Sequence, residues 1–233
     1  MSENDNDLKA TIFGWVGTVI ATYFYISPIE PYLKLIKGEI TYKESPIILL
    51  ICSFLNCLLW SIYGIFEGAF LIYFANGLGG GITLIFITTF LIHFAGRNIL
   101  YSFLYILLLI IVVSGINCIC YFIINPEITG IMANVFNVLM YAATGEKMYT
   151  VFKTGRYNLI PILSVIGGFA SSTSWMLYGF FQDNPDYLII IPNGIGAIFS
   201  IIQIIIFIVI KKRAKNDDST EISSKCDTEE YSD

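Results

Sequence analysis

Two asparagines carry the most chemistry in this chain. Asn76 stands in "YFANGLGGG" and Asn193 in "IIPNGIGAI", 117 residues apart, each within an apolar stretch and each followed by glycines. An amide taken out of water is costly unless it finds a partner, so in a stretch this apolar both must face a helix interface or a wet cavity. Trp60 in "LNCLLWSIYG" and Trp175 in "ASSTSWMLYG" repeat at a spacing of 115, as do Tyr63 and Tyr178. Amides offer donors and acceptors without charge, and indole faces cover apolar C–H surface. The combination suits a neutral polyol. Either asparagine alone reads as interhelical glue, and Gly-x-Gly alone is a weak motif; the duplication of Trp, Tyr-Gly and Asn-Gly shifts the reading to a site.

The elements that must hold these residues follow from composition. The 233 residues are 56% hydrophobic and only 13% charged, with a mean hydropathy of +0.72, which marks a membrane protein rather than a soluble one. Apolar runs of the length needed to cross a bilayer, ~20 residues, fall at 9–32, 45–67, 69–94, 99–124, 128–152, 158–181 and 187–210. Pro46 and Pro161 keep the 115-residue spacing, so helices one to three duplicate as helices five to seven. Helix four matches neither half and serves as a linker. The predicted fold is an all-α membrane protein of seven spans, two parallel three-helix repeats joined by a linker helix (3+1+3). Its parts are an N-terminus over 1–8, a first repeat over 9–94, a linker over 95–127, a second repeat over 128–210 and a disordered tail over 211–233. At 1.5 Å per residue, Trp60 and Asn76 both lie ~10 Å below the outer boundary. Trp175 and Asn193 share that depth in the second half, so two amides and two indoles form one layer.

Lys34, Lys37, Lys43, Arg97, Lys147, Lys153, Arg156 and five tail residues fall on one side, leaving Lys9 on the other. The positive-inside rule then puts the N-terminus outside and the C-terminus in the cytoplasm. The plasma membrane is the expected location, with an internal membrane as the alternative. The acidic opening lacks the basic start and cleavage site of a signal peptide, so the first span is expected to stay. Four cysteines in spans and one in the tail read as packing residues. His93 alone makes no metal site. No nucleophile with a base, carboxylate pair or metal cluster shares an intramembrane depth, so no enzyme activity and no cofactor is expected. The partners expected are a small solute and the lipid bilayer, not nucleic acid; a homo-oligomer is left open.

"SPIEPYLKLIKGEITYKESP", "LNCLLWSIYG", "ANGLG", "VFNVLMYAATGEKMYTVFKTGRYNLIP" and "IPNGIGAIFSIIQIIIF" together resemble the SWEET sugar transporters, over about residues 10–210. The resemblance implies bidirectional facilitative transport of mono- or disaccharides by alternating access, without ion coupling. It implies that Asn76 and Asn193 contact the sugar, that Trp60 and Trp175 stack beside it, and that Asn56 and Ser171 complete the polar lining. Phe24 and Met140 match positions where bulk is associated with sugar size. Pro28, Pro46 and Pro161 match three of four inner-gate hinge prolines, while Thr144 stands where the fourth is expected. From the residues alone Pro46 and Pro161 read equally as first-turn prolines, whereas Pro28 lies inside the first span and should kink it. Glu30 and Glu146 read as inner-rim charges, Glu30 pairing with Lys34 at i,i+4. A seven-helix receptor would share the orientation and helix count without explaining the repeat. A related seven-helix transporter of amino acids would carry a Pro-Gln pair, where this chain has Pro-Ile at Pro46 and Pro161.

Overall fold

The computed structural model describes residues 3–27, 29–39, 47–94, 125–157, 160 and 162–230, together with residues 100, 101, 104, 105, 107, 108, 111, 112, 115 and 119 between them. All regular structure among them is helical. The helices are α1 (Glu3–Ile26), α2 (Ile29–Lys37), α3 (Ile47–Phe66), α4 (Phe70–Phe94), α5 (Pro126–Thr154), α6 (Ile162–Phe180) and α7 (Tyr187–Glu230). The described residues of the linker are helical and exposed; most of that span lies outside the described residues.

The helix boundaries have local causes. α1 begins at Glu3, earlier than the expected start at residue 9, because Glu3, Asp5 and Asp7 bring negative charge to its first turns, where the helix dipole favours it. The first span does not continue to residue 32. It stops at Ile26 and restarts as α2, with Ser27 Oγ donating to Phe24 O at 2.7 Å. The break falls between Ile26 and Ile29, and proline in this stretch of sequence can donate no hydrogen bond and disfavours helical geometry in the residue before it; Pro28 itself lies outside the described residues, as do Pro46 and Pro161. On α2, Lys34 Nζ meets Glu30 Oε1 at 2.7 Å. α5 starts at an Asn125 cap whose side chain accepts from Glu127 N, has proline at its first position, and ends at Gly155 with φ of 69°. It runs unbroken through Thr144, whose side chain is outside the described set. The tail expected to lack order is helical to Glu230. No proline or glycine follows Gly196, and extending an existing helix avoids the cost of nucleating a new one.

The packing follows the sequence duplication. α4 packs against α1 and α3, and α7 packs against α5 and α6 in the same way; between the halves, α1 meets α6 and α3 meets α5. Exchanging α1, α3, α4 for α5, α6, α7 leaves this pattern unchanged, as a two-fold relation requires. One core cluster spans both halves, with Trp60, Tyr63 and Ile72 from the first and Ala133, Tyr178 and Ile189 from the second. Two further clusters each belong to one half. One gathers Tyr32, Leu35, Leu50, Phe54 and Phe86, and the other Val151, Ile160, Val165 and Ile210. The outward faces are apolar, as at Val19, Ile85 and Leu163. Phe70–Ile92 and Tyr187–Ala214 are long and apolar enough to cross a membrane.

Candidate functional site

A cavity of about 170 Å³ lies where the two halves meet. From the first half it is lined by Ala21, Tyr25, Asn56, Trp60, Ile72 and Asn76, and from the second by Asn137, Ser171, Trp175, Ile189 and Asn193. Six residues singled out from sequence thus share one wall: Asn76, Asn193, Trp60, Trp175, Asn56 and Ser171. Phe24 and Met140 are not among the lining residues. Phe24 turns its ring onto Gly167, where an added Cβ would stand 2.9 Å from Phe24 Cζ, and Met140 is half-buried on α5. The resemblance placed both one turn before a hinge position but could not say which way either side chain turns. Asn137 and Tyr25 were missed. The signal for Asn137 was available, since a polar amide in an apolar helix is a site candidate by default.

The amides are oriented by groups that can only accept. Asn76 Nδ2 donates to Ile72 O and Asn193 Nδ2 to Ile189 O, each at 2.8 Å. One hydrogen of each amide therefore stays on its own helix, while the side-chain oxygen and the second hydrogen are left for the cavity. Asn56 differs, giving Nδ2 to Ala133 O at 2.9 Å and to Asn137 Oδ1 at 3.0 Å.

The indoles are held by small residues of the opposite half. Trp175 lies over Gly17 on α1, where a Cβ would come within 2.9 Å of Nε1, and Tyr178 lies over Gly14. In the other half Tyr63 lies over Gly130, and Trp60 packs in one cluster with Ala133, which is fully buried. Edge-to-face contacts with Tyr63 and Tyr178, at centroid separations of 5.3 and 5.4 Å, complete the two clamps.

Beside this cavity, toward the α3–α4 turn, lies a basin of about 600 Å³ whose lining includes Glu67, Glu127, Asp183 and Asp186. Ile72 and Ile189 line both spaces, and Tyr63 and Tyr178 line the basin, so these four form the partition. Asp186 ties the partition across the halves. Its Oδ1 accepts from Leu188 N at 3.0 Å and caps α7, while Oδ2 accepts from the Tyr63 hydroxyl at 2.6 Å. The repeat-related position is Ala69, so the tie exists in one sense only. Among the described lining residues of the inner cavity no side chain carries a charge, and among the described residues no group of three His, Cys, Asp or Glu could hold a metal.

Tyr63→Phe removes this tie. A hydrogen bond to a charged group contributes about 1.5–3 kcal/mol, so the partition should open more often. Labelling from the basin side of a thiol placed by Ile72→Cys should rise several-fold in the Tyr63→Phe background. An unchanged rate would mean that packing alone keeps the partition shut.

The sequence and the fold both match known proteins. A family model described as a sugar efflux transporter for intercellular exchange matches twice, at residues 11–98 and 127–215, on the two triplets. The bidirectional sugar transporter SWEET5 of Arabidopsis thaliana is 30% identical across 95% of this chain and 94% of its own length. SWEET7 of the same plant is 28% identical, over 86% of this chain and 80% of its own. The solved structure of a eukaryotic SWEET transporter superposes with a TM-score of 0.78 over 89% of this chain and 99% of that one, at 22% identity, and so shares the fold. A family model that matches each half in turn, and a relative that aligns almost end to end, establish that this chain belongs to the family of sugar efflux transporters for intercellular exchange, the SWEET transporters.

Proposed function

We propose that this protein carries sugars across a membrane in both directions, down their gradient, by exposing one central site alternately to either side. The observation that carries the reading is the cavity between the halves, where paired amides and paired indoles form a wall without charge. Hydroxyls of a sugar meet the amides and its C–H face meets the indoles. A site without charge gives a proton no place to ride, which favours uniport over symport. Relatives named as bidirectional sugar transporters support the substrate class. Uptake of labelled glucose and sucrose into proteoliposomes, accelerated by unlabelled sugar on the far side, is the test; no uptake of any sugar would refute it.

The reading places seven spans in the bilayer, two triplets and the linker, with the N-terminus outside, the C-terminus in the cytoplasm and the plasma membrane as location. Alternating access is supported by how the core divides. At the end of the α3–α4 turn the halves share one cluster and the Tyr63–Asp186 tie, while the two other clusters among the described residues each belong to one half. Pro28, Pro46 and Pro161 are assigned as hinges of the inner gate. The first span is interrupted between Ile26 and Ile29 while α5 continues through Thr144, so the gate moves unequally. Thr144→Pro, by deleting one backbone bond and fixing φ, should change the maximal rate at least about twofold with half-saturation nearly constant. Initial rates on surface-normalised protein check this, and an unchanged rate would count against a hinge role.

A further inference from the structure

A chain of amides runs from the second half onto Asn56 of the first, with no counterpart in the repeat-related direction among the described residues. Its starting point is Pro192, inside α7, which has no N–H to give to the carbonyl four residues earlier. That carbonyl, on Leu188, accepts instead from Asn134 Nδ2 at 3.1 Å. Asn137 Nδ2 donates to Asn134 Oδ1 at 3.1 Å. Asn56 Nδ2 then donates to Asn137 Oδ1 and to Ala133 O. Both ends of the chain are backbone carbonyls, which only accept, so the sense of every amide is set from both directions and agrees in the middle.

The duplicated half serves as an internal control. Ala75 stands where the second half has Pro192, Leu71 where it has Leu188, Thr18 where it has Asn134 and Ala21 where it has Asn137. The Thr18 hydroxyl turns back onto its own helix, donating to Gly14 O at 2.7 Å. Where the proline is absent, the amides are absent too.

We propose that Asn134, which does not line the cavity, is a positioning residue for the sugar site. It takes the carbonyl that Pro192 leaves open and thereby orients Asn137 and Asn56. Both hydrogens of the Asn56 amide are then committed to α5, so Asn56 offers the cavity an oxygen only, and the sugar hydroxyl that meets it is bound as a donor. The inference rests on the cavity being the sugar site.

Glucose transport by the full-length protein in proteoliposomes tests it. Asn134→Leu should raise half-saturation roughly tenfold, with the maximal rate changed less than about twofold. Pro192→Ala returns to Leu188 a partner on its own helix, so the double variant Asn134→Leu with Pro192→Ala separates two roles. If Asn134 orients the amides, half-saturation stays raised in the double variant. If it returns to the wild-type value, or if Asn134→Leu alone leaves it unchanged, the proposal is overturned. The wild type supplies a test that needs no variant to fold. Fluorine accepts but cannot donate, so at one ring position the deoxyfluoro sugar should be carried as poorly as the deoxy sugar. A series in which fluorine restores transport at every position overturns the proposal. A wild type that carries no sugar sinks the reading of the site itself, and this inference with it.

Discussion

Asn193→Ala and Asn76→Ala should each lower sugar transport by at least about thirtyfold while leaving the amount of protein at the membrane unchanged. The fold survives because the carbonyls these side chains reach, on Ile189 and Ile72, lie four residues back on the same helix and keep their backbone partners. Losing the side-chain bond orphans no buried group. The site fares worse. Each amide has an oxygen and one hydrogen left for the cavity, and two bonds at about 1–1.5 kcal/mol each amount to thirtyfold or more. Uptake normalised to surface protein measures the effect. A variant that transports normally would show that its asparagine serves only to hold helices together.

Gly64→Ala should remove most of the folded protein, whereas Gly179→Ala should be tolerated far better. The two glycines are repeat partners in the duplicated Tyr-Gly pairs, and both lie where one helix turns into the next. At Gly64 a Cβ would sit 2.7 Å from Tyr73 N and 3.0 Å from Ile72 Cβ. The first of these is backbone, fixed by the α3–α4 hairpin, and cannot step aside. At Gly179 the nearest atoms are Ile190 Cγ1 at 3.1 Å and Asp186 O at 3.2 Å, which shifts of a few tenths of an ångström accommodate. Overpacking of this kind costs about 1–3 kcal/mol where neighbours can move and more where they cannot. Size-exclusion profiles of detergent-extracted protein should show a collapsed folded peak for Gly64→Ala and a near-normal one for Gly179→Ala. Equal tolerance of both would contradict the close approach of α3 and α4.

The contrast between these glycines shows what the sequence conveys and what it withholds. Repetition is a one-dimensional signal. Trp60 with Trp175 and Asn76 with Asn193 could therefore be paired, placed at one depth and assigned to one cavity before any fold was known. Which helix of one half faces which helix of the other is not written in one dimension. Gly14, Gly17, Gly130 and Ala133, the seats of the aromatic clamps, therefore passed unnoticed, although Gly14 and Gly130 keep the repeat spacing of their helices. The bonds of Asn134 and Asn137 were hidden for the same reason, since their partners lie on α7 and α3, although Asn137 as an amide in an apolar helix was itself a visible candidate. Phe24 and Met140 lie about one turn along their helices from the lining residues Ala21 and Asn137 and are not among the residues that line the cavity. Boundaries slipped where charge or helix propagation outweighed hydropathy, at Glu3 and beyond residue 211.

The central claim is that the uncharged site equilibrates sugar and does not concentrate it. The most direct measurement is the steady-state ratio of labelled glucose inside to outside proteoliposomes, with and without an imposed pH gradient. The ratio should be one in both conditions, with only the initial rate depending on protein. A ratio above one that appears with an inward proton gradient and collapses on adding a protonophore would contradict it.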